Sequence, residues 1–134
     1  MLLLNESLQA NCLCGSGQSY HACCFPFHNG DKFPETAEQL MRSRYVAYVK
    51  QITPYLLQTW CVTERPKTIE FDPVIRWTGL TIQGKKKGRK KDPEGWVTFT
   101  ANYQIEFEPL QLKEKSFFTR DSKNHWRYVN GQFI

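Results

Sequence analysis

Residues 96–108 have the sequence WVTFTANYQIEFE, in which hydrophobic and polar side chains alternate with a period of two. This period is typical of a β-strand with one buried face, because successive side chains of a strand point to opposite sides of the sheet. The opposite face carries Trp96 and the polar residues. The face predicted to pack against a hydrophobic core carries Val97, Phe99, Ala101, Tyr103, Ile105 and Phe107.

Strand-like segments flank this region on both sides. A turn signal, Asp121-Ser122-Lys123-Asn124, separates the last two of them and predicts a hairpin. Because the connections are short, the strands are expected to pair antiparallel with their neighbours in the chain. The three further predicted strands cover residues 74–83, 110–119 and 125–129.

The residues before the strands have helical periodicity instead. Thr36, followed by Gln39 three residues later, forms a capping-box pattern that predicts the start of a helix. Thr53, as the cap, and Pro54, at the first helical position, predict the start of a second, shorter helix. Helices followed by consecutive antiparallel strands predict an α+β fold with the helices on one face of the sheet. The first helix should end near Lys50, and its apolar stripe comprises Leu40, Met41, Tyr45, Tyr48 and Val49.

Length and composition fit one globular domain. The chain has 134 residues, of which 14% are aromatic, so it can bury a core without relying on disulfides. It contains no run of about 18 apolar residues, which excludes a transmembrane helix. The first residues lack both the basic start and the apolar length of a signal peptide. We therefore expect a cytoplasmic protein with no membrane partner.

The basic charge is concentrated in residues 84–92. The chain has 18 Lys and Arg against 13 Asp and Glu, and this segment holds six of the basic residues with one acid. Gly84 and Gly88 predict a loose hairpin tip. Such a block either contacts phosphates or acidic surfaces, or is a solvated loop that binds nothing. Its candidate binding residues are Lys85, Lys86, Lys87, Arg89, Lys90 and Lys91.

Four of the five cysteines fall in one short segment. Cys12, Cys14, Cys23 and Cys24 have the spacing C-x-C-x8-C-C. In a reducing compartment, clustered cysteines predict four thiolates around one tetrahedral zinc ion; the alternative is a set of unliganded thiols. Gly15-Ser16-Gly17 supplies a turn whose backbone N–H groups can point at the sulfurs. Four protein ligands leave no open coordination position, so the zinc is expected to be structural.

Other metal-binding side chains near this segment are expected to play no part in the site. His21 and His28 flank the cysteines, but four thiolates already saturate a zinc ion. Cys61 lies far from the cluster in sequence and is expected to be a buried thiol rather than a nucleophile.

A pocket is expected between the helices and the curved sheet. Alternation in residues 110–119 places Glu114 on a mostly apolar face, where burial would suit a carboxyl group to acid–base chemistry. Alternatively, Glu114 pairs with a basic residue on a neighbouring strand. No convergent set of acid, base and nucleophile is recognisable, so no catalytic residue is assigned. The candidate pocket residues are Glu114, Tyr45, Trp60 and Trp77.

The cysteine segment has a specific pattern. Residues 12–24, CLCGSGQSYHACC, fit C-x-C-G-S-G-x-x-Y-x-x-C-C throughout and resemble the SEC-C zinc-binding motif. Downstream, LMRSRY at 40–45, WTGLT at 77–81 and WRYVNG at 126–131 are similar to the YchJ-like family. The resemblance extends from Asn11 to Gly131, which is nearly the whole chain.

This resemblance implies a domain arrangement and a ligand set. A SEC-C segment at residues 11–31 would bind zinc through the four cysteines. A nuclear transport factor 2-like (NTF2-like), cystatin-like α+β domain would follow at residues 32–134. Two features depart from the family: no second SEC-C segment follows before Ile134, and Cys61 stands where the family often has a histidine after Thr-Trp.

Three functional hypotheses remain open at this point. In the first, which the resemblance favours, the chain is an interaction or adaptor module whose partner is a ribosome, an RNA or a protein of the export machinery. In the second, the α+β pocket around Glu114 binds a small molecule or catalyses a reaction. In the third, zinc merely fastens the N-terminal segment. The sequence does not rank individual partners or substrates.

Overall fold

The computed structural model describes residues 9–134, and the N-terminal residues on which the signal-peptide prediction rests lie outside this range. Three helices with described bounds precede four strands within residues 9–134. No helix within residues 9–134 has both the length and the hydrophobicity needed to cross a membrane. The helices are α1 (Phe25–His28), α2 (Ala37–Lys50) and α3 (Thr53–Gln58).

The strands form one antiparallel sheet in which chain order and spatial order agree. Each strand pairs with the next, and irregularities in register occur in β1 and β4. Because helix α2 contacts three of the strands from one side, the architecture is α+β, which confirms the predicted fold class. The strands are β1 (Arg76–Lys87), β2 (Glu94–Ile105), β3 (Glu108–Arg120) and β4 (Trp126–Phe133).

The strand predicted at residues 96–108 exists, but its end was predicted wrongly. Strand β2 ends at Ile105, and Glu106 and Phe107 both have positive φ angles, of 51° and 68°. Positive φ at both central residues is typical of a two-residue hairpin turn that matches the twist of the strands. Phe107 is therefore 83% exposed and does not face the core. Alternation alone could not reveal this turn, because the hydrophobic pattern continues through it.

Helix α2 begins and ends as predicted. The Thr36 side chain accepts a hydrogen bond from the backbone N–H of Gln39 at 3.1 Å, and the helix ends at Lys50. Helix α3 differs by one position, because Ile52 is its N-cap and Thr53 already lies in the first turn beside Pro54.

The hydrophobic core lies between helix α2 and the sheet. Leu40 and Val46 of α2 are fully buried, and they belong to the same cluster as Val97 of β2 and Phe118 of β3. The indole N–H of buried Trp126 donates to the backbone oxygen of Glu35 at 3.0 Å, which ties strand β4 to the start of α2. Burial of side chains of this size stabilises the fold by about 1.5–3 kcal/mol each.

Candidate metal centre and sheet cavity

The four clustered cysteines converge in space. Their Sγ atoms all lie within 4.8 Å of one another, and those of Cys14 and Cys23 are 3.6 Å apart. Zn–S bonds of about 2.3 Å in a tetrahedron place sulfur atoms about 3.8 Å from each other. The sulfur positions in this structure therefore fit a single four-coordinate zinc ion.

Local backbone pairing produces this arrangement. Asn11 forms a β-bridge with Ser19, and the N–H of Cys12 donates to the oxygen of Gln18 at 2.7 Å. The chain thus reverses between the two cysteine pairs. Gly15, at the reversal, has φ +81°, a conformation that glycine adopts without strain.

The thiols of the cluster compete with one another for ionisation. Hydrogen bonds from the Cys12 and Cys24 thiols lower the pKa of Cys14. Hydrogen bonds with Cys12 and Cys14 raise the pKa of Cys24, so one thiolate forms at the expense of its neighbours. A divalent cation among the sulfurs would remove this competition and allow all four to ionise. The Ser16 hydroxyl lies 3.1 Å from Cys23 Sγ, where it can donate to a thiolate.

The cysteine segment is anchored on helix α2 through His28. The Tyr20 hydroxyl lies 2.6 Å from His28 Nδ1, and His28 Nε2 lies 2.8 Å from the backbone oxygen of Ser43. Nε2–H therefore donates to Ser43 and Nδ1 accepts from Tyr20. Burial lowers the pKa of His28, in keeping with a neutral ring. Because both ring nitrogens have hydrogen-bond partners, neither is free to bind a metal ion, and His28 is not part of the cysteine cluster.

A cavity of about 270 Å³ lies between helix α2 and the sheet. Glu114 lines it, and the hydroxyl groups of Ser116 and Tyr128 both bond to the same carboxylate oxygen, Oε2. Within residues 9–134, the second oxygen, Oε1, accepts no hydrogen bond. The remaining lining is mainly aromatic and aliphatic, which resembles the lining of small-molecule sites in general.

The structure brings most of the predicted pocket residues together but not all of them. Tyr45 and Trp77 line the cavity with Glu114, and their rings meet edge-on at 6.2 Å. Trp60 does not line it, so this part of the prediction is wrong. The chain leaves α3 at Gln58, and Trp60 instead packs edge-on against Tyr128 at 5.3 Å behind the cavity wall.

Arg44 is a cavity residue that the sequence reasoning missed. It is only 5% exposed, and its Nη1 donates to the oxygen of Leu56 and to Thr59 Oγ1, at 2.8 and 2.7 Å. Its guanidinium lies 4.9 Å from the Trp60 ring and 4.7 Å from the Tyr128 ring, and burial lowers its pKa. The available signal was a charged residue directly beside Tyr45, within the apolar stripe of α2.

The basic segment is less loose than predicted. Lys85, Lys86 and Lys87 belong to strand β1, and only the residues after them form the tip. Gly88 approaches helix α2 closely, since a Cβ atom there would lie 2.8 Å from that of Ala37. Acidic side chains also neutralise part of the charge. The ion pairs are Lys85–Glu38, Lys90–Glu35 and Arg89–Asp92.

Comparison with known proteins gives consistent similarities in sequence. A family model described as YchJ, middle NTF2-like domain, matches residues 36–131. A UPF0225 protein of Streptomyces avermitilis is 44% identical over 125 residues, which cover 93% of this chain and 86% of that protein. A UPF0225 protein of Streptomyces coelicolor is 42% identical, with coverage of 92% and 95%.

Two solved structures are similar over most of their length. The solution structure of a SEC-C motif containing protein from Rhodopseudomonas palustris has a TM-score of 0.81 at 26% identity, and covers 93% of this chain and 99% of that one. The crystal structure of a SEC-C motif containing protein from Psychrobacter arcticus has a TM-score of 0.77 at 23% identity, with coverage of 97% and 84%. The second likeness shows the fold alone.

Proposed function

This chain belongs to the YchJ-like family of UPF0225 proteins, and we propose that it holds one structural zinc ion and binds a small molecule in its sheet cavity. Cys12, Cys14, Cys23 and Cys24 are the proposed zinc ligands. The zinc segment at residues 11–31 would fasten the N-terminal part of the chain to the α+β domain at residues 32–134. A reducing compartment such as the cytoplasm would keep these thiols available to the metal.

The proposed zinc has no catalytic task. Four thiolates complete a tetrahedral coordination sphere, so no position remains for water or a substrate. When bound, the ion supplies a cross-link between two ends of a short segment that has too few apolar residues for a core of its own. The chain's own contacts, chiefly His28 on Ser43 and Arg42 Nη1 on the Cys14 oxygen at 2.6 Å, transmit this cross-link to helix α2.

The observation that carries the small-molecule proposal is the carboxylate of Glu114 in a cavity whose lining, apart from Arg44 and Ser116, is mainly aromatic and aliphatic. The two hydrogen bonds that it accepts within residues 9–134 both reach Oε2, so Oε1 is left for a donor on a ligand. At about 270 Å³, the cavity is slightly smaller than the roughly 300–1,000 Å³ of typical small-molecule sites. The ligand we propose is therefore a small compound with an apolar body and one N–H or O–H donor.

Replacing Glu114 with glutamine is expected to weaken this binding roughly 10- to 100-fold, because a hydrogen bond to a charged group contributes about 1.5–3 kcal/mol. The measurement is ligand-observed NMR with a set of small aromatic and aliphatic amines and alcohols. The matched control is Glu108→Gln, which removes the same charge from an exposed position on the same strand.

Two results would contradict the cavity proposal. One is the absence of any ligand signal with the wild-type chain. The other is equal binding by the Glu114 and Glu108 variants, which would leave Glu114 as a structural partner of Ser116 and Tyr128.

A second candidate function is an interaction or adaptor role through the basic hairpin. Six basic residues between Lys85 and Lys91 carry the support for it. Lys85, Arg89 and Lys90 form ion pairs with acidic side chains. The other three basic residues have no carboxylate partner within residues 9–134: Lys86, Lys87 and Lys91. A ribosome, another RNA or an acidic protein of the export machinery would complement this charge.

Neutralising Lys86, Lys87 and Lys91 together is expected to flatten the salt dependence of ribosome binding, since each lost phosphate contact reduces the salt slope by about one. The measurement is co-sedimentation of the zinc-loaded chain with ribosomes at several salt concentrations. Lys32, Lys67 and Lys123 provide a control triple of equal charge on exposed positions elsewhere. Unchanged pelleting by the hairpin variant would show that the segment is a solvated structural element.

A further inference from the structure

The face of the sheet that points away from helix α2 carries two large aromatic side chains in contact. Trp96 on β2 is directly opposite Phe117 on β3. Their ring centroids are 5.0 Å apart and their planes differ by 28°, so the rings are stacked. Both side chains are partly exposed, so part of each ring is accessible to a partner.

Basic residues surround this aromatic pair. Lys86 is the register partner of Trp96 on β1, and its Nζ lies 5.4 Å from the centroid of the indole ring. Lys113 and Lys115 lie on the same face of β3 and are exposed. Among the strand residues of this face, Glu94 is the one acid, so the field above the rings is positive. A partner with complementary charge is therefore a polyanion.

Amide side chains complete the surface. On strand β4, Asn130 lies opposite Phe117 of β3, and Gln132 lies opposite Lys115 of β3. Together with Trp96 they line a shallow depression of about 190 Å³. An amide side chain can both donate hydrogen bonds to and accept them from the edges of bases and the ribose 2′-hydroxyl groups. The combination of positive charge and amide groups therefore favours RNA as the polyanion.

We propose that this outer platform, formed by Lys86, Trp96, Lys113, Lys115, Phe117, Asn130 and Gln132, binds single-stranded RNA. Bases stack on the exposed parts of the Trp96 and Phe117 rings, while the lysines contact the phosphates. Open sheet faces that combine aromatic rings with basic residues bind single-stranded nucleic acid in this way in other folds. This inference rests on the second candidate function, binding to a ribosome or RNA, and Lys86 belongs to both proposed surfaces. It differs in that the aromatic pair, Trp96 and Phe117, provides the contacts with the bases.

The test uses the zinc-loaded full chain and a short fluorescein-labelled oligouridine, with binding followed by fluorescence anisotropy. Replacing Phe117 with alanine is expected to weaken binding roughly 5- to 100-fold, the loss caused by removing one base–aromatic stack. The control is Phe107→Ala, because Phe107 is an exposed aromatic residue at a turn outside the platform.

A second variant keeps the proposal testable if the Phe117 variant does not fold. Replacing Lys113 and Lys115 with glutamine changes two exposed side chains and is expected to reduce the salt slope of binding to this single strand by about 1.4. A wild-type chain that does not bind the oligouridine, a Phe117 variant that binds as tightly as wild type, or equal affinity for duplex RNA would each overturn the proposal. Duplex RNA matters here because its bases are not available for stacking on a protein ring.

The outcomes also separate this inference from the basic-hairpin function. Neutralising Lys87, Arg89, Lys90 and Lys91 removes charge at the hairpin and leaves the platform intact. Loss of oligouridine binding in that variant alone would support the hairpin and overturn the platform. Loss in the Phe117 variant alone would support the platform without the hairpin.

Discussion

Replacing Cys24 with serine is expected to abolish zinc binding and to lower the free energy of unfolding by roughly 3 kcal/mol or more. Cys24 is 1% exposed, and its sulfur belongs to the cluster in which all four Sγ atoms lie within 4.8 Å. A serine hydroxyl is a poor ligand for zinc, and without the ion the remaining three cysteines lose the cross-link that holds the segment together. The measurements are zinc content by elemental mass spectrometry and thermal unfolding by circular dichroism.

Cys61 supplies the matched control for this substitution. Its sulfur contacts Thr63 Oγ1 at 3.4 Å and is not part of the cluster, so Cys61→Ser should retain one zinc ion per chain and near wild-type stability. Removal of zinc by a chelator should reproduce the effect of the Cys24 variant. A wild-type chain purified without zinc and insensitive to chelation would contradict the metal assignment.

Replacing Gly95 with alanine is expected to destabilise the fold by roughly 2–4 kcal/mol. Gly95 begins the pairing of β2 with β1, and a Cβ atom at this position would lie 2.3 Å from the Cα and 2.6 Å from the backbone nitrogen of Gly88. Backbone atoms cannot rotate away, so the hairpin would have to open. Gly88 is in turn held by helix α2, since its oxygen accepts the N–H of Ala37 at 2.9 Å.

Gly84 is the control for this prediction. It lies on the other strand of the same hairpin, and a Cβ atom there would have no neighbour within 4 Å. Gly84→Ala should therefore change the free energy of unfolding by less than about 1 kcal/mol. Chemical denaturation of both variants measures the difference. Equal stabilities would mean that the hairpin adapts to the added methyl group and is not rigidly tied to the helix.

Helix α2 links the cysteine segment to the cavity. Arg42 and Ser43 contact the cysteine segment, and the next two residues, Arg44 and Tyr45, line the cavity. Successive helical residues differ in direction by about 100°, so one helical turn can serve both sites. The proposed zinc therefore supports the same element that forms the cavity wall.

Several features of the fold could be predicted because they depend on neighbours in the chain. The cap of α2 requires only Thr36 and Gln39, and the periodicity of the strands follows from which side chains alternate. All four cysteines lie within thirteen residues, so their convergence needs only one reversal of the backbone. The α+β class followed from the order of these local patterns.

Other features depended on how distant segments pack. The end of β2 was misplaced because Phe107 continues the alternation, although a two-residue turn begins at Glu106. The loose tip expected near Gly88 became an ordered hairpin because Gly88 packs against Ala37 and its oxygen accepts the Ala37 N–H. Two ion pairs, Lys85–Glu38 and Lys90–Glu35, add to this contact. Neither ion pair could be predicted from the local sequence, because the two partners of each pair are far apart in the chain.

By itself, the sequence determined the fold class, the cysteine cluster and the face on which Glu114 lies, because each follows from spacing over a few residues. Tertiary structure alone decided that Arg44 lines the cavity, that Trp60 does not, and that Trp96 stacks on Phe117. These contacts join residues separated by a hairpin or by a helix–sheet interface. Their partners are set by strand register and packing, which are properties of the assembled core rather than of any one segment.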